Sequence, residues 1–213
     1  MRKIFILSLL LPFALSNVNA QSLEDLRFGV TGGLNLSNMT NFDSKASFHL
    51  GLKAEKSITE NVFIEGAVLY SAKGAKMDFG SLGSNKINAN YIEVPIHIGY
   101  VYNINPDLDL RGSVGTYFAY GIGGKMEVAE SDWYYDSYVN TKYDTFSDDS
   151  GLKRFDLGLG FKAGVEYKNN YQLSIGYDFG LIDTYNKSKN EEDYDVTGTL
   201  KNSNFKVSVA YMF

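Results

Sequence analysis

The chain has 213 residues, 44% hydrophobic and 21% charged, with no cysteine, 3 prolines, 21 glycines, and 16 Tyr and 14 Phe against a single Trp. These proportions exclude a disordered chain, a disulfide scaffold and any cysteine-ligated metal or thiol chemistry, and they fit one domain rich in strands. The net charge is −5, and setting aside Arg2 and Lys3 leaves 18 basic against 25 acidic residues, −7, so no basic face offers itself to nucleic-acid phosphates and no such partner is expected.

Residues 1–20 read as an export signal. Met1-Arg2-Lys3 is a positive start, Ile4 to Leu15 is an apolar run broken only by Ser8 and Pro12, and Val18-Asn19-Ala20 places small residues before Gln21. The run is too short for a membrane-spanning helix, which needs roughly 20 apolar residues. Cleavage after Ala20 is expected, leaving residues 21–213 as one domain in the cell envelope.

From there the chain alternates with period two, the mark of strands with one apolar and one polar face. Phe28, Val30, Gly32, Leu34 and Leu36 oppose Gly29, Thr31, Gly33, Asn35 and Ser37, and Phe48, Leu50, Leu52 and Ala54 oppose His49, Gly51, Lys53 and Glu55. The third run, Val62 to Ala72, leaves its register open, because Phe63 and Leu69 share the face of Glu65 and Ala67. In the fourth, Ile92 through Tyr102 oppose Tyr91, Glu93, Pro95, His97 and Gly99; Pro95 lacks a ladder donor and predicts a bulge or local widening. The fifth runs from Leu108 to Ile122, the sixth from Phe155 to Tyr167, the seventh from Tyr171 to Leu181 and the eighth from Asn204 to Phe213.

The connections alternate in length. Thr59-Glu60-Asn61, Asn103 to Asp107, and Lys168-Asn169-Asn170 are short turns, whereas 38–46, 73–90, 125–153 and 182–203 read as long polar loops. Long loops at one end of an even number of strands predict an all-β, eight-stranded antiparallel up-and-down transmembrane barrel, with short periplasmic turns and four long external loops. A soluble lipocalin-like barrel would alternate in the same way with its apolar face inward. Two features favour the membrane form. Glycines crowd the polar face, as a narrow lumen requires, and Tyr100, Tyr102, Tyr120, Tyr167, Tyr171 and Tyr211 sit near strand ends on the apolar face, where an interfacial belt would lie.

Several segments carry a family resemblance: Phe28 to Ser37, Tyr91-Ile92-Glu93-Val94-Pro95-Ile96, Gly158 to Tyr167, Tyr177-Asp178-Phe179-Gly180-Leu181 and the terminal Tyr211-Met212-Phe213. In order and spacing they resemble the PorT-type outer-membrane β-barrel family of Bacteroidetes, from about residue 20 to the end. The resemblance implies an eight-stranded outer-membrane barrel and a Bacteroidetes-like source. It assigns no role, since the secretion function of the founding member does not transfer on fold alone.

Chemistry is sparse. Glu93, Arg111, Lys162, Glu166 and Asp178 lie on the polar face and are expected to form a lumenal ion network, either a narrow ion path or, as eight strands favour, a structural plug. The only histidines are His49 and His97; no Ser-His-Asp order or nucleophile elbow accompanies them, and no catalytic residue, metal ligand or cofactor is expected. The long loop after the fifth strand gathers Asp132, Trp133, Tyr134, Tyr135 and Tyr138, a combination suited to a surface partner. The expected setting is a monomer in outer-membrane lipid with a structural or surface-interaction role. The alternatives are a narrow channel or uptake component, or an accessory that meets a secretion-machinery protein.

Overall fold

The computed structural model describes residues 26–78, 84–132, 137–147, 151–185 and 199–213, with the backbone alone at 78, 84, 128–132 and 137–140. Its strands are β1 (Leu26–Met39), β2 (Asp43–Ser57), β3 (Val62–Asp78), β4 (Ser84–Asn105), β5 (Leu108–Gly123), β6 (Lys125–Asp132), β7 (Ser137–Asp144), β8 (Phe155–Tyr167), β9 (Tyr171–Gly180) and β10 (Asn202–Met212). Eight of them close a ring in the order β1-β2-β3-β4-β5-β8-β9-β10, with β10 antiparallel to β1, so the wall has no free edge. The remaining two form a hairpin that continues the sheet from the external end of β4 through Lys86↔Glu127 and Ile87↔Met126.

The apolar face points outward. Leu52 is 67% exposed while its neighbour Lys53 is 7% exposed, and the same contrast runs around the ring. A lipocalin-like carrier requires the opposite, so that alternative falls. The six tyrosines assigned to an interfacial belt are all exposed on this outer face. Phe63 and Leu69 settle the open register of β3, for both are buried in the lumen beside Glu65.

Above the apolar belt the alternation inverts. Met39, Ala75, Ile87, Ala89 and Ala119 turn inward and are buried, while Lys76 and Lys86 point out and are exposed. The barrel therefore projects beyond the bilayer: β4 has 22 residues and β3 has 17, against the roughly 9–11 that cross a membrane. This corrects two loop expectations. Residues 73–90 are mostly strand, and the loop at 38–46 shrinks to a turn at Thr40-Asn41-Phe42, with Asn41 at φ 66°. The outward residues there are no longer apolar, so the stripe that marks a strand in the sequence disappears while the strand continues. The third expected loop, 125–153, contains the β6–β7 hairpin, whose sequence carries no continuous apolar stripe either.

Two seams in the wall show how backbone groups stay satisfied. The β3–β4 ladder lapses between Gly66↔Ile96 and Leu69↔Glu93, where Pro95 has no N–H to give, and resumes without a register shift; Pro95 widens the pairing and makes no bulge. The β2–β3 ladder shifts register between Ser44 and His49. There side chains replace the missing donors: Ser47 Oγ and Asn35 Nδ2 donate to the Ala72 carbonyl at 2.6 and 2.8 Å, and Ser37 Oγ donates to the Gly74 carbonyl at 2.9 Å. Such substitutes matter because a buried backbone group left without a partner costs about 1–3 kcal/mol.

Candidate functional site

Among the described residues, it is in the lumen that the strands bring many charged side chains together. Inward positions of all eight ring strands contribute Arg27, Lys53, Lys73, Arg111, Lys162 and Lys206 against Glu55, Glu65, Glu93, Asp156, Glu166 and Asp178, six of each sign. They divide into two layers.

The layer toward the short turns centres on Arg111. Its guanidinium lies 2.6 Å from Glu55, hydrogen-bonds Glu166, and rests 4.1 Å above the Phe63 ring. Gly99 makes room for that ring, since a Cβ there would stand 2.3 Å from Phe63 Cζ. Arg27 closes the layer from β1 by donating to Glu166 and to the Asn169 carbonyl in the β8–β9 turn. Lys53 is 2.6 Å from Glu65 and donates to Gln172 Oε1 at 2.6 Å, and Lys162 pairs with the same Glu65.

The layer toward the external end centres on Glu93, which is fully buried and held by Lys73 at 2.6 Å and Lys206 at 2.7 Å. Lys206 also reaches Asp178 at 2.6 Å. The Lys73 ammonium sits 4.4 Å from the Tyr117 ring centroid, a cation–π contact in an enclosed site. Tyr117 in turn donates to Asp156 at 3.1 Å, and Asn202 donates to the same carboxylate at 2.9 Å.

Of the five residues expected to act together, Arg111 and Glu166 meet directly, and Asp178 meets Glu93 through Lys206. Lys162 pairs with Glu65 instead. Glu93 and Arg111 do not meet. The β4–β5 register sets Glu93 opposite Ala119 and Arg111 opposite Val101, eight residues apart on β4 or roughly 26 Å at about 3.3 Å per residue. Two partners escaped the sequence reading. Lys73 fell in a segment read as loop, although Ser71, Lys73 and Ala75 continue the inward alternation, and Arg27 preceded the first apolar residue of β1, although it shares the face of Gly29 and Thr31.

Neither histidine holds a hydroxyl and a carboxylate on opposite ring nitrogens. His49 Nδ1 lies 2.8 Å from Asn35 Oδ1 and its Nε2 3.0 Å from Ser208 Oγ. His97 does stand near Ser113 and Glu65, an association that sequence order concealed. Both partners approach the same Nδ1, at 3.4 and 3.7 Å, and Ser113 Oγ donates to Glu65 at 3.0 Å. A relay needs the hydroxyl and the carboxylate on opposite ring nitrogens.

Among the described residues, apolar side chains pack across the inside of the external end. Phe146 and Leu152, from the connection between β7 and β8, fold inward and are 5% and 2% exposed. The Phe146 ring meets Tyr91 edge-on with centroids 5.4 Å apart and occupies space that Gly121 leaves free. Arg154 braces the segment by donating to the carbonyls of Gly121 and Phe146 at 3.0 and 3.3 Å. Beyond this stopper the β6–β7 hairpin is tied by Lys125–Asp144 at 2.6 Å and Lys142–Glu127 at 3.0 Å, pairs that hold both carboxyls below their usual range. Of the loop residues singled out above, Trp133, Tyr134 and Tyr135 lie outside the described residues; Asp132 and Tyr138 are placed in β6 and β7 by their backbone, and their side chains lie outside the description.

A family model described as outer membrane protein beta-barrel domain matches residues 19–186. No curated protein matches the chain. Among solved structures the chain is similar to Ail, the attachment invasion locus protein of Yersinia pestis, at 14% identity over 88% of this chain and 98% of that one, with a TM-score of 0.42. It is also similar to Neisserial surface protein A at 15% identity over 89% and 98%, TM-score 0.44, and to OprG of Pseudomonas aeruginosa at 13% identity over 88% and 94%, TM-score 0.45. With the family match spanning most of a chain that closes as eight antiparallel strands with an apolar outer face, the protein belongs to the outer membrane protein beta-barrel domain family and resides in the outer membrane.

Proposed function

We propose that this barrel is sealed and that its role is carried at the cell surface, by the hairpin and loops it holds beyond the bilayer. The observation that supports the reading is the succession of barriers along one bore: the Arg111 layer, the Glu93 layer and the Phe146–Leu152 stopper. Ions crossing such a lumen would have to break buried pairs in both layers, and breaking one by loss of a partner costs about 3–5 kcal/mol. The ten-strand sheet, by contrast, continues outward through β4, β6 and β7, and the last two strands are joined in sequence by residues 133–136. That segment includes Trp133, Tyr134 and Tyr135, side chains that suit docking of a protein or stacking on sugars. We read the protein as non-enzymatic and as a monomer in the outer membrane, exported by a signal removed after Ala20. We also place it with the PorT-type barrels of Bacteroidetes, on the order and spacing of the strand motifs. The deciding experiment is conductance of the refolded protein in planar bilayers. No discrete openings are expected; stepwise conductance that changes in Glu93→Gln would replace this reading with that of a narrow channel.

A further inference from the structure

Past the apolar belt, one side of the outer wall is cationic. On β3 and β4, Tyr70 and Ile92 face each other in the last row of large outward apolar side chains; Ala72 and Asn90 follow, then Gly74 and Asn88, then Lys76 and Lys86. The last two are directly opposite each other and both are exposed on the same face. Like charges so placed repel and weaken a strand pair. Lys45 joins them from β2. Its stem crosses above Gly74, where a Cβ would stand 3.3 Å from Lys45 Cδ, and its ammonium donates to Asn88 Oδ1.

The nearby carboxylates leave this charge unbalanced. Glu127, opposite Lys86, is held by Lys142 at 3.0 Å, and Asp144 is held by Lys125 at 2.6 Å. Asp43 stands opposite Lys76, and Asp78, described by its backbone alone, lies two residues farther from the bilayer. Among the described residues, none of Lys45, Lys76 and Lys86 makes an ion pair. On the opposite wall the residues just past the belt, Asn38 and Ser203, are uncharged.

Height selects what can answer this charge. Along β4, Asn88 and Lys86 lie four and six residues beyond Ile92. That is about 13 and 20 Å along the strand at about 3.3 Å per residue, or roughly 10 and 15 Å above the belt for strands tilted by about 40°. The headgroup layer of a plain phospholipid reaches only about 5–8 Å past the hydrocarbon. The lysines therefore stand above a phospholipid phosphate, at the level of sugars carried by a glycolipid, and on a face continuous with the lipid-facing wall.

We infer that the outer face of β2, β3 and β4 docks a glycolipid of the outer leaflet, its acyl chains against the belt below Tyr70 and Ile92 and a phosphate on its sugar headgroup between Lys76 and Lys86, with Lys45 alongside. A phosphate there accepts from ammonium groups on two strands and turns their repulsion into a bridge. The site lies on the outside of the wall, so it is independent of whether the lumen is sealed.

The probes are lipid A, a phosphorylated and acylated glucosamine disaccharide, and the same lipid freed of phosphate. The full, folded protein in neutral detergent is offered an equimolar mixture, and native mass spectrometry reads which lipid is retained. The phosphorylated form should be retained several-fold over the phosphate-free one. Lys76→Gln with Lys86→Gln should remove that preference, whereas Lys153→Gln with Lys201→Gln, at exposed lysines elsewhere on the external end, should keep it. Equal retention of the two lipids by the wild-type protein overturns the proposal. So does a preference that survives Lys76→Gln with Lys86→Gln, or one that millimolar inorganic phosphate abolishes, which would mean a site for free anions. If the Lys76 and Lys86 double variant does not fold, the wild-type comparison and the phosphate competition decide.

Discussion

Lys73 Nζ lies 2.6 Å from Glu93 Oε2, and neither side chain shows more than 1% of its surface. The pair joins β3 to β4 inside the lumen, with Lys206 on the far side of the same carboxylate. Replacing Glu93 by Gln strands two ammonium groups beside Asp178 alone, and we expect a loss of about 3–5 kcal/mol. It would be measured as a lower denaturant midpoint for the folded band on unheated gels. Lys73→Met combined with Glu93→Gln should cost less than the sum of the single changes, because the double variant removes both buried charges; strictly additive losses would show that the two do not interact.

Gly99 and Phe63 make a steric prediction at the other layer. A side chain at Gly99 collides with the Phe63 ring that supports Arg111. Gly99→Val should destabilise the barrel by about 1–3 kcal/mol through overpacking. Adding Phe63→Leu should restore part of that loss. No rescue would place the strain in the backbone, where the Gly112 carbonyl is also close.

The outer belt predicts a dependence on depth. Leu50 is 61% exposed midway along the apolar stripe of β2, and Leu50→Arg should cost about 2–4 kcal/mol in a bilayer. Lys86, on the same outer face but beyond the belt, should tolerate Ala with no comparable change. Equal effects at the two positions would contradict the inversion of polarity along the wall.

Because the chain has no cysteine, a single one reports on access from outside. Ala119→Cys places a thiol under the stopper, in the same buried cluster as Phe146 and Leu152. Added maleimide should label it slowly in that background and at least several-fold faster when Phe146→Ala is introduced. Rapid labelling with Phe146 present would mean that the mouth is open.

The start of the chain gives the last test. Intact mass of the protein recovered from outer membrane should correspond to a chain beginning at Gln21, and the same sample should migrate differently on gels with and without boiling. A mass that includes residues 1–20 would remove the proposed cleavage and leave the barrel unaffected.

Much of the wall is legible without coordinates. The run Phe155 to Tyr167 alternates cleanly because successive side chains of a pleated strand face opposite ways, and a face toward lipid must be apolar at every second residue. Short turns are legible for a related reason: Lys168 and Asn169 adopt φ 51° and 59°, and the Lys-Asn-Asn stretch marks such a reversal. Legibility ends at the membrane boundary. Past it Lys73, Ala75, Ile87 and Ala89 still alternate, but with the apolar side turned inward, so a search for one continuous outer stripe reads strand as loop.

The alternation of apolar and polar faces, the number of crossings and the residue types inside all follow from residue order, because they rest on the local two-residue period and the placement of turns. Which charges meet, and which apolar side chains fold into the external end, depend on how the ring closes. Lys206 and Glu93 lie 113 positions apart and come together because ring closure and strand register bring β10 and β4 to face each other across a narrow bore. Phe146 and Leu152, in a polar connection, turn inward because the projecting strands form an apolar cup that water would otherwise have to fill.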